Sequence, residues 1–346
     1  MYLCYHHTDM DGKGAGDQVY RYILRQGVKP LPSMFIMRGY DEAYSEDDYS
    51  QKEVFIVDLS FTKANIKKLF DICEGANKVT WIDHHFSSVE CVEDDDIRAK
   101  LDSYHNLTYF INTKACGAVL SYLILNDVID MMSFDNKECI DYEIETREID
   151  SGAYTISVTN PDGEVHTVAI PDYLVMIDKY DRWVYGDDDR PLLFNYGAQT
   201  RTTNVFAFMK SVNEVVYNHR FWQAITNPHI VKQIIDDGKL IKCYFEKRAK
   251  SAINANAYEV MIDGHKALVV NSTESSSLLF GNKINDYDLV CIWKYNGKIG
   301  AYNYSLYSDK PEINCAKICQ KYDPNGGGHP GAAGFTSDKL LFKKDN

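Results

Sequence analysis

Residues 2–12 read Tyr-Leu-Cys-Tyr-His-His-Thr-Asp-Met-Asp-Gly, residues 53–60 Glu-Val-Phe-Ile-Val-Asp-Leu-Ser, and residues 78–87 Lys-Val-Thr-Trp-Ile-Asp-His-His-Phe-Ser. Each begins as a short run rich in apolar residues and breaks off into polar ones. Runs of this length and composition predict strands at 2–5, 33–37, 53–57 and 78–82. The intervening segments 14–25 and 62–73, and later 116–126, place apolar residues three and four apart, which predicts crossover helices. Alternation of the two patterns is the signature of an α/β fold around a mostly parallel sheet. The polar clusters at 7–12, 58–60 and 83–87 then fall at carboxyl ends of parallel strands, where open α/β sheets bind ligands.

Outward from that frame the pattern changes twice. Residues 142–170 show near alternation on both sides of Asn160-Pro161-Asp162-Gly163, residues that favour a turn, and predict an inserted β-hairpin. Such an insertion either decorates an edge or serves as a lid or dimer arm, so a homodimer is compatible with it. From 204 to 257 the spacing is mostly helical and predicts a linker. Beyond it, strands are predicted at 258–262, 266–270, 289–294 and 298–304, with a helix at 312–321 ahead of a glycine run. The expected organisation is a first domain over 1–203, a helical linker over 204–257 and a smaller α/β domain over 258–346.

The chain has 346 residues, 45% hydrophobic and 25% charged, which is ordinary globular usage and disfavours disorder, collagen-like repeats and coiled coil. Its longest strongly apolar stretch, 115–125, is too short and interrupted to span a bilayer, and no basic segment followed by an apolar one opens the chain. A cytoplasmic protein without a membrane partner is the expectation. Nine cysteines, with no Cys-X-X-Cys, fit neither a disulfide framework nor a thiolate zinc site. The net charge of −13 is unevenly placed: residues 1–238 hold 22 Lys and Arg against 39 Asp and Glu, whereas 239–346 hold 15 against 11. That split argues against a broad duplex-binding face and suits carboxylates that hold cations, with a tail that meets an anion.

Four constellations carry chemistry. His7, Asp9 and Asp11 alternate after a strand, offering one imidazole and two carboxylates, and Gly12 permits a sharp turn into the next helix. Taken alone, Asp9 and Asp11 read equally as carboxylates complementing a helix dipole, and adjacent His6 as a structural or solvent-facing residue. Asp58 alone reads as a helix cap. Asp83, His84 and His85 add two imidazoles and a carboxylate at a third strand end. Finally, 325–334 reads Asn-Gly-Gly-Gly-His-Pro-Gly-Ala-Ala-Gly. Here Gly326, Gly327 and Gly328 can present backbone N–H groups as a concave phosphate nest to which His329 adds a donor.

Together these motifs resemble the DHH phosphoesterase family, named for the Asp-His-His at Asp83-His84-His85, and the glycine segment is similar to that of the accessory DHHA1 domain. The resemblance runs from residue 3 to about 335, loosely over 127–170 and 185–255. Among family members the chain most resembles oligoribonucleases of the nanoRNase type. It implies a mostly parallel-sheet DHH domain plus a smaller α/β DHHA1 domain. It also implies two divalent ions, Mn²⁺ favoured over Mg²⁺ for mixed imidazole and carboxylate ligands without cysteine. His7, Asp9 and Asp58 would hold one ion. Asp11, Asp58, His84 and a later aspartate would hold the second, with Asp178 preferred for that place and Asp181 the runner-up. Asp83 would orient a ligating histidine, and His85 would meet the substrate phosphate. One departure stands out. Where the family often has Ser-Leu-Arg-Ser, this chain has Ser305-Leu306-Tyr307-Ser308, and Tyr307 can stack on a base but cannot clamp a phosphate.

The expected activity is two-metal hydrolysis of short single-stranded oligonucleotides, oligoribonucleotides above all, to mononucleotides. The alternatives are a cyclic-dinucleotide or pAp-type phosphohydrolase, a manganese pyrophosphatase, which the glycine segment disfavours, and a non-catalytic DHH protein that binds single-stranded nucleic acid.

Overall fold

The structure is a computed structural model that describes residues 1–39, 48–129, 136–149, 152–273, 276–324 and 326–343. Asn325 and residues 150–151 of the predicted insertion lie outside the described residues. The chain divides into two compact units, Met1–Lys239 and Leu240–Asn346.

The first unit is built on a five-stranded parallel sheet of β1 (Tyr2–His7), β2 (Phe35–Arg38), β3 (Glu53–Val57), β4 (Lys78–Asp83) and β5 (Leu107–Ile111), in the order β2-β1-β3-β4-β5. Helices α1 (Met10–Arg25), α2 (Lys67–Gly75), α3 (Phe86–Val92), α4 (Asp95–Asp102) and α5 (Gly117–Leu125) connect and follow the strands. The central strands are buried on both faces: Val54, Ile56, Val79, Trp81 and Ile82 are each at most 1% exposed, as expected for a parallel sheet covered by helices. The strand order reverses at β1/β3, the topological switch point at which doubly wound sheets open a crevice. β5 was missed in the sequence.

The insertion is a three-stranded antiparallel meander of β6 (Glu143–Glu148), β7 (Tyr154–Thr159) and β8 (Val165–Ile170), one strand more than a hairpin. Ile144, Tyr154, Ile156, Val158 and Ile170 join the core of the first unit. α6 (Asp172–Asp181) and α7 (Arg190–Ala198) follow. The predicted linker is helical only in its second half. β9 (Phe206–Met209) and β10 (Glu214–Tyr217) form a hairpin ahead of α8 (Pro228–Asn256). Aromatic contacts hold the hairpin down: Tyr20 stacks on Tyr217 at 3.9 Å and meets Phe206 edge-on at 5.7 Å. The Tyr217 hydroxyl donates to buried Asp17, which also pairs with Arg21.

The second unit carries a six-stranded sheet of β11 (Ala257–Ile262), β12 (His265–Asn271), β13 (Leu289–Asn296), β14 (Ala301–Tyr307), β15 (Gly327–His329) and β16 (Ala332–Ser337), ordered β11-β12-β13-β14-β16-β15, together with the later part of α8 and with α9 (Cys315–Tyr322). Alternate residues serve opposite faces. Ala267 and Val269 enter one buried cluster with Cys315, Ile318 and Cys319 of α9, while Leu268 and Val270 enter another with Ala249 and Ile253 of α8.

Candidate metal centre

β1, β3 and β4 are adjacent, so their carboxyl ends deliver His7, Asp58 and Asp83-His84-His85 to one rim of the sheet. Asp9 caps α1: its Oδ1 accepts from the Gly12 amide at 2.8 Å, and its Oδ2 lies 2.7 Å from His7 Nδ1. One turn into α1, buried Asp11 accepts from the amides of Gly117 and Ala118 at the start of α5, at 2.8 and 2.7 Å. Asp58 has φ +53°, a left-handed conformation that costs a non-glycine residue energy and recurs at functional sites. Gly117 packs so close that a Cβ there would sit 2.6 Å from Asp58 Cβ and 2.9 Å from its Oδ1.

Three overlapping groups of donor atoms result: His7, Asp9 and Asp58; Asp11, His84 and Asp181; and Asp58, His84 and His85. His84 Nε2 lies 3.4 Å from Asp11 Oδ2, 3.2 Å from Asp58 Oδ1 and 3.3 Å from Asp181 Oδ2. Asp58 stands between the groups, with Oδ2 4.0 Å from His7 Nδ1. Both Asp58 oxygens are buried and neither has a hydrogen-bond partner among the described residues.

Such crowding of buried carboxylates disfavours ionisation. Burial, with Asp11, Asp9 and Asp181 nearby, holds the Asp58 carboxyl well above its usual range. Burial and then Asp181 push Asp11 up to about 6, and burial and then Asp9 push Asp181 up to about 7. His84 is pushed down by burial and by His85, which leaves a neutral imidazole with a lone pair to give. These donor atoms fit divalent cations: converging lone pairs, two of them on a buried carboxylate that nothing in the protein satisfies.

The structure differs from the sequence expectation on one metal-site residue. Asp178 does not reach the cluster. Its carboxylate takes a bidentate pair from Arg182 at 2.9 and 2.7 Å and a further bond from the Cys116 amide at 2.7 Å. The aspartate that α6 presents to His84 is Asp181. Asp83 holds His85, with Oδ1 2.7 Å from His85 Nδ1 and Oδ2 accepting from Ser88, and His85 also groups with Asp58 and His84 as a donor. Burial works against the charge on both partners, yet their attraction and hydrogen bond outweigh it, raising His85 to about 9 and lowering Asp83 to about 2. His6 is structural: it is 2% exposed, its Nδ1 lies 2.9 Å from the His7 carbonyl, and burial lowers it to about 4.

In the second unit the glycine segment forms an edge strand. Gly327, Gly328 and His329 pair with Gly334, Ala333 and Ala332. Gly328 has φ +140°, and a Cβ there would meet the Ala332 carbonyl at 2.5 Å, so glycine is required by the hairpin itself. Tyr307 is partly buried against the cluster containing Leu268 and Val290, which leaves only part of its ring for stacking. Sequence reasoning missed Arg182, Lys13, Asn195 and the aromatic group of Tyr180, Trp183 and Tyr185, in which Trp183 is 53% exposed.

No protein-family model matches the chain, and no curated protein sequence matches it. Solved structures do. A DHH domain described as coming from a member of a family of ribosomal proteins matches with 15% identity over 96% of this chain and 82% of that one, TM-score 0.49. RecJ from Thermus thermophilus in complex with Mn²⁺ matches with 12% identity over 97% of this chain and 49% of that one, TM-score 0.44. A pGpG-specific phosphodiesterase from Vibrio cholerae matches with 12% identity over 97% and 92%, TM-score 0.40. Among the described residues no helix is long and apolar enough to cross a membrane.

Proposed function

We propose that the chain is a metal-dependent phosphoesterase of the DHH type that hydrolyses short oligonucleotides, oligoribonucleotides foremost, to mononucleotides. The observation that carries this reading is Asp58: a fully buried carboxylate in a left-handed backbone, unsatisfied at both oxygens and flanked by two groups of His and Asp donors. A pair of cations sharing that carboxylate would give both oxygens partners, which supports this reading. His7, Asp9 and Asp58 would hold one ion, and Asp11, Asp58, His84 and Asp181 the other. The mixed imidazole and carboxylate set favours Mn²⁺, with Mg²⁺ the alternative.

When bound, the two ions supply a water of lowered pKa and positive charge opposite the phosphate. The protein's own contribution is positional. Asp83, itself held by Ser88, fixes His85 and favours its charged form. His85 can therefore donate a charged hydrogen bond to a phosphoryl oxygen that gains charge as the bond breaks.

The test is a panel of di- to decanucleotides, cyclic dinucleotides, pAp and pyrophosphate with Mn²⁺, resolved by product, using wild type and Asp58→Ala. The reading expects hydrolysis of the short linear members and none by the folded variant. Turnover confined to cyclic dinucleotides, pAp or pyrophosphate would replace the substrate assignment. Near-normal turnover by Asp58→Ala would reject the shared-carboxylate centre.

A further inference from the structure

Beside the metal cluster lies a cavity of about 350 Å³, with Asp9, Asp11 and Asp181 along one edge. Ligand pockets run from about 300 to 1,000 Å³, so this one has room for a single nucleoside-sized group and not for a length of chain. Its lining is partly apolar, with Met176, Ile177 and Tyr180 from α6 and Phe194 from α7. Two carboxamides interrupt that apolar lining. Asn195 and Gln199 are four residues apart at the end of α7, hence on one face, and both line the cavity. Among the described residues neither side chain makes a hydrogen bond, although each offers a donor and an acceptor. Lys13, one turn from Asp9 on α1, also lines the cavity. Its Nζ donates to Thr203 Oγ1 at 3.3 Å, and it forms no salt bridge among the described residues.

We infer that this cavity is a nucleoside subsite. It takes one nucleotide unit beside the scissile phosphate, with the Asn195 and Gln199 carboxamides reading the edge of the base and Lys13 meeting the phosphate. The inference deepens the phosphoesterase reading and rests on it for the neighbouring reaction. The chemistry follows from the lining. A heteroaromatic base has apolar faces, which Met176 and Phe194 suit, and an edge of adjacent donors and acceptors, which a carboxamide matches. A bare sugar phosphate would use Lys13 but leave both carboxamides and the apolar walls without purpose. A lysine with no carboxylate bonded to it, standing beside an acidic cluster, is suited to an anion brought there by the cluster's ions.

The test is calorimetric titration of the full-length metal-free protein with the four 5′-mononucleotides and with ribose 5-phosphate. The acidic cluster repels every ligand equally, so the ratio of affinities reports the base alone. The best mononucleotide is expected to bind at least about 10-fold tighter than ribose 5-phosphate, the scale of one good base-edge contact. In the Asn195→Ala/Gln199→Ala double variant that ratio should fall to near one, with ribose 5-phosphate affinity unchanged. Gln199→Glu alone, at an exposed position, should lower the ratio without endangering the fold. Lys13→Met should weaken both ligands alike. Equal affinities in wild type, no measurable binding of any mononucleotide, or an unchanged ratio in the variants would overturn the subsite. Mn²⁺-dependent dinucleotide hydrolysis by wild type is measured in parallel. Its absence alongside base-dependent binding would reject the phosphodiesterase reading and keep the subsite, whereas hydrolysis alongside base-blind binding would reject the subsite alone.

Discussion

Substitution of the two aspartates of α6 should move stability in opposite directions. Asp178 is 2% exposed and satisfies Arg182 with both oxygens, so Asp178→Asn leaves a guanidinium facing an amide. Breaking a buried pair by removing one partner costs about 3–5 kcal/mol. Arg182 is 23% exposed, and water recovers part of the loss, so about 2–3 kcal/mol is expected. Asp181 is the reverse case. Its carboxyl is raised from 3.8 to about 7, so above pH 7 the metal-free fold bears an unfavourable charge. Three pKa units correspond to about 4 kcal/mol, and the residue's 26% exposure and the poorer solvation of a buried amide reduce the gain from Asp181→Asn to about 2 kcal/mol. For a unit of 239 residues each kcal/mol moves the midpoint by about 2–4 °C. At pH 8 in EDTA, Asp178→Asn should melt roughly 5–10 °C lower than wild type and Asp181→Asn roughly 4–8 °C higher. Excess Mn²⁺ should then raise the midpoint of wild type and Asp178→Asn but that of Asp181→Asn much less. The assay is thermal unfolding by circular dichroism in both buffers. If Asp181→Asn keeps the full Mn²⁺ response while Asp178→Asn loses it, the placement of the two residues is refuted.

The remaining predictions concern the same centre and its substrate. Gly117→Ala forces a Cβ to within 2.6 Å of Asp58 Cβ, so it should cost about 1–3 kcal/mol by overpacking and weaken Mn²⁺ binding, read by calorimetry. Unaltered metal affinity in a folded variant would show that Asp58 is not held in place by that contact. Metal-free stability should fall as pH rises from about 6.5 to 9, above the range in which buried His6, lowered to about 4, and His84 oppose the trend. The raised carboxyls of Asp11, near 6, and Asp181, near 7, favour the fold below their unfolded values and lose that contribution as they ionise, and His85, near 9, acts in the same direction. Saturating Mn²⁺ should flatten or reverse that slope, because its ligands must be deprotonated, and a metal-free midpoint that climbs over this range would contradict the cluster's electrostatics. Catalytic efficiency should peak at roughly two to five nucleotides with a shallow salt dependence, since no long basic groove follows from the sequence. Efficiency rising steadily past ten nucleotides with a steep salt slope would instead indicate a processive nuclease.

Sequence reasoning preferred Asp178 where the structure presents Asp181, and the missing signal was present in the residues themselves. The strand ends were legible because parallel strands announce themselves by continuous apolar runs, and the polar residues that follow can only lie at the rim; that placed His7, Asp9, Asp58 and His84 beside one another. β5, the third strand of the meander and the 206–217 hairpin were not legible, because short runs such as Phe206–Met209 become strands only through partners distant in sequence, here Tyr20 and Phe35. In extended backbone, side chains two apart share a side, so Asp83 can reach His85 and must turn away from His84, just as Asp9 reaches His7. In a helix, residues four apart are neighbours, so Arg182 falls over Asp178 and occupies it, leaving Asp181 as the carboxylate of α6 that meets the cluster. Read with the period proper to each element, the pairs 83/85 and 178/182 separate the carboxylates that are held by the protein from those that converge unpaired. Asp58 is the extreme member of the second class. Its left-handed backbone and its two buried oxygens without a hydrogen-bond partner among the described residues set it apart from Asp83 and Asp178, and Gly117 leaves the space its side chain occupies.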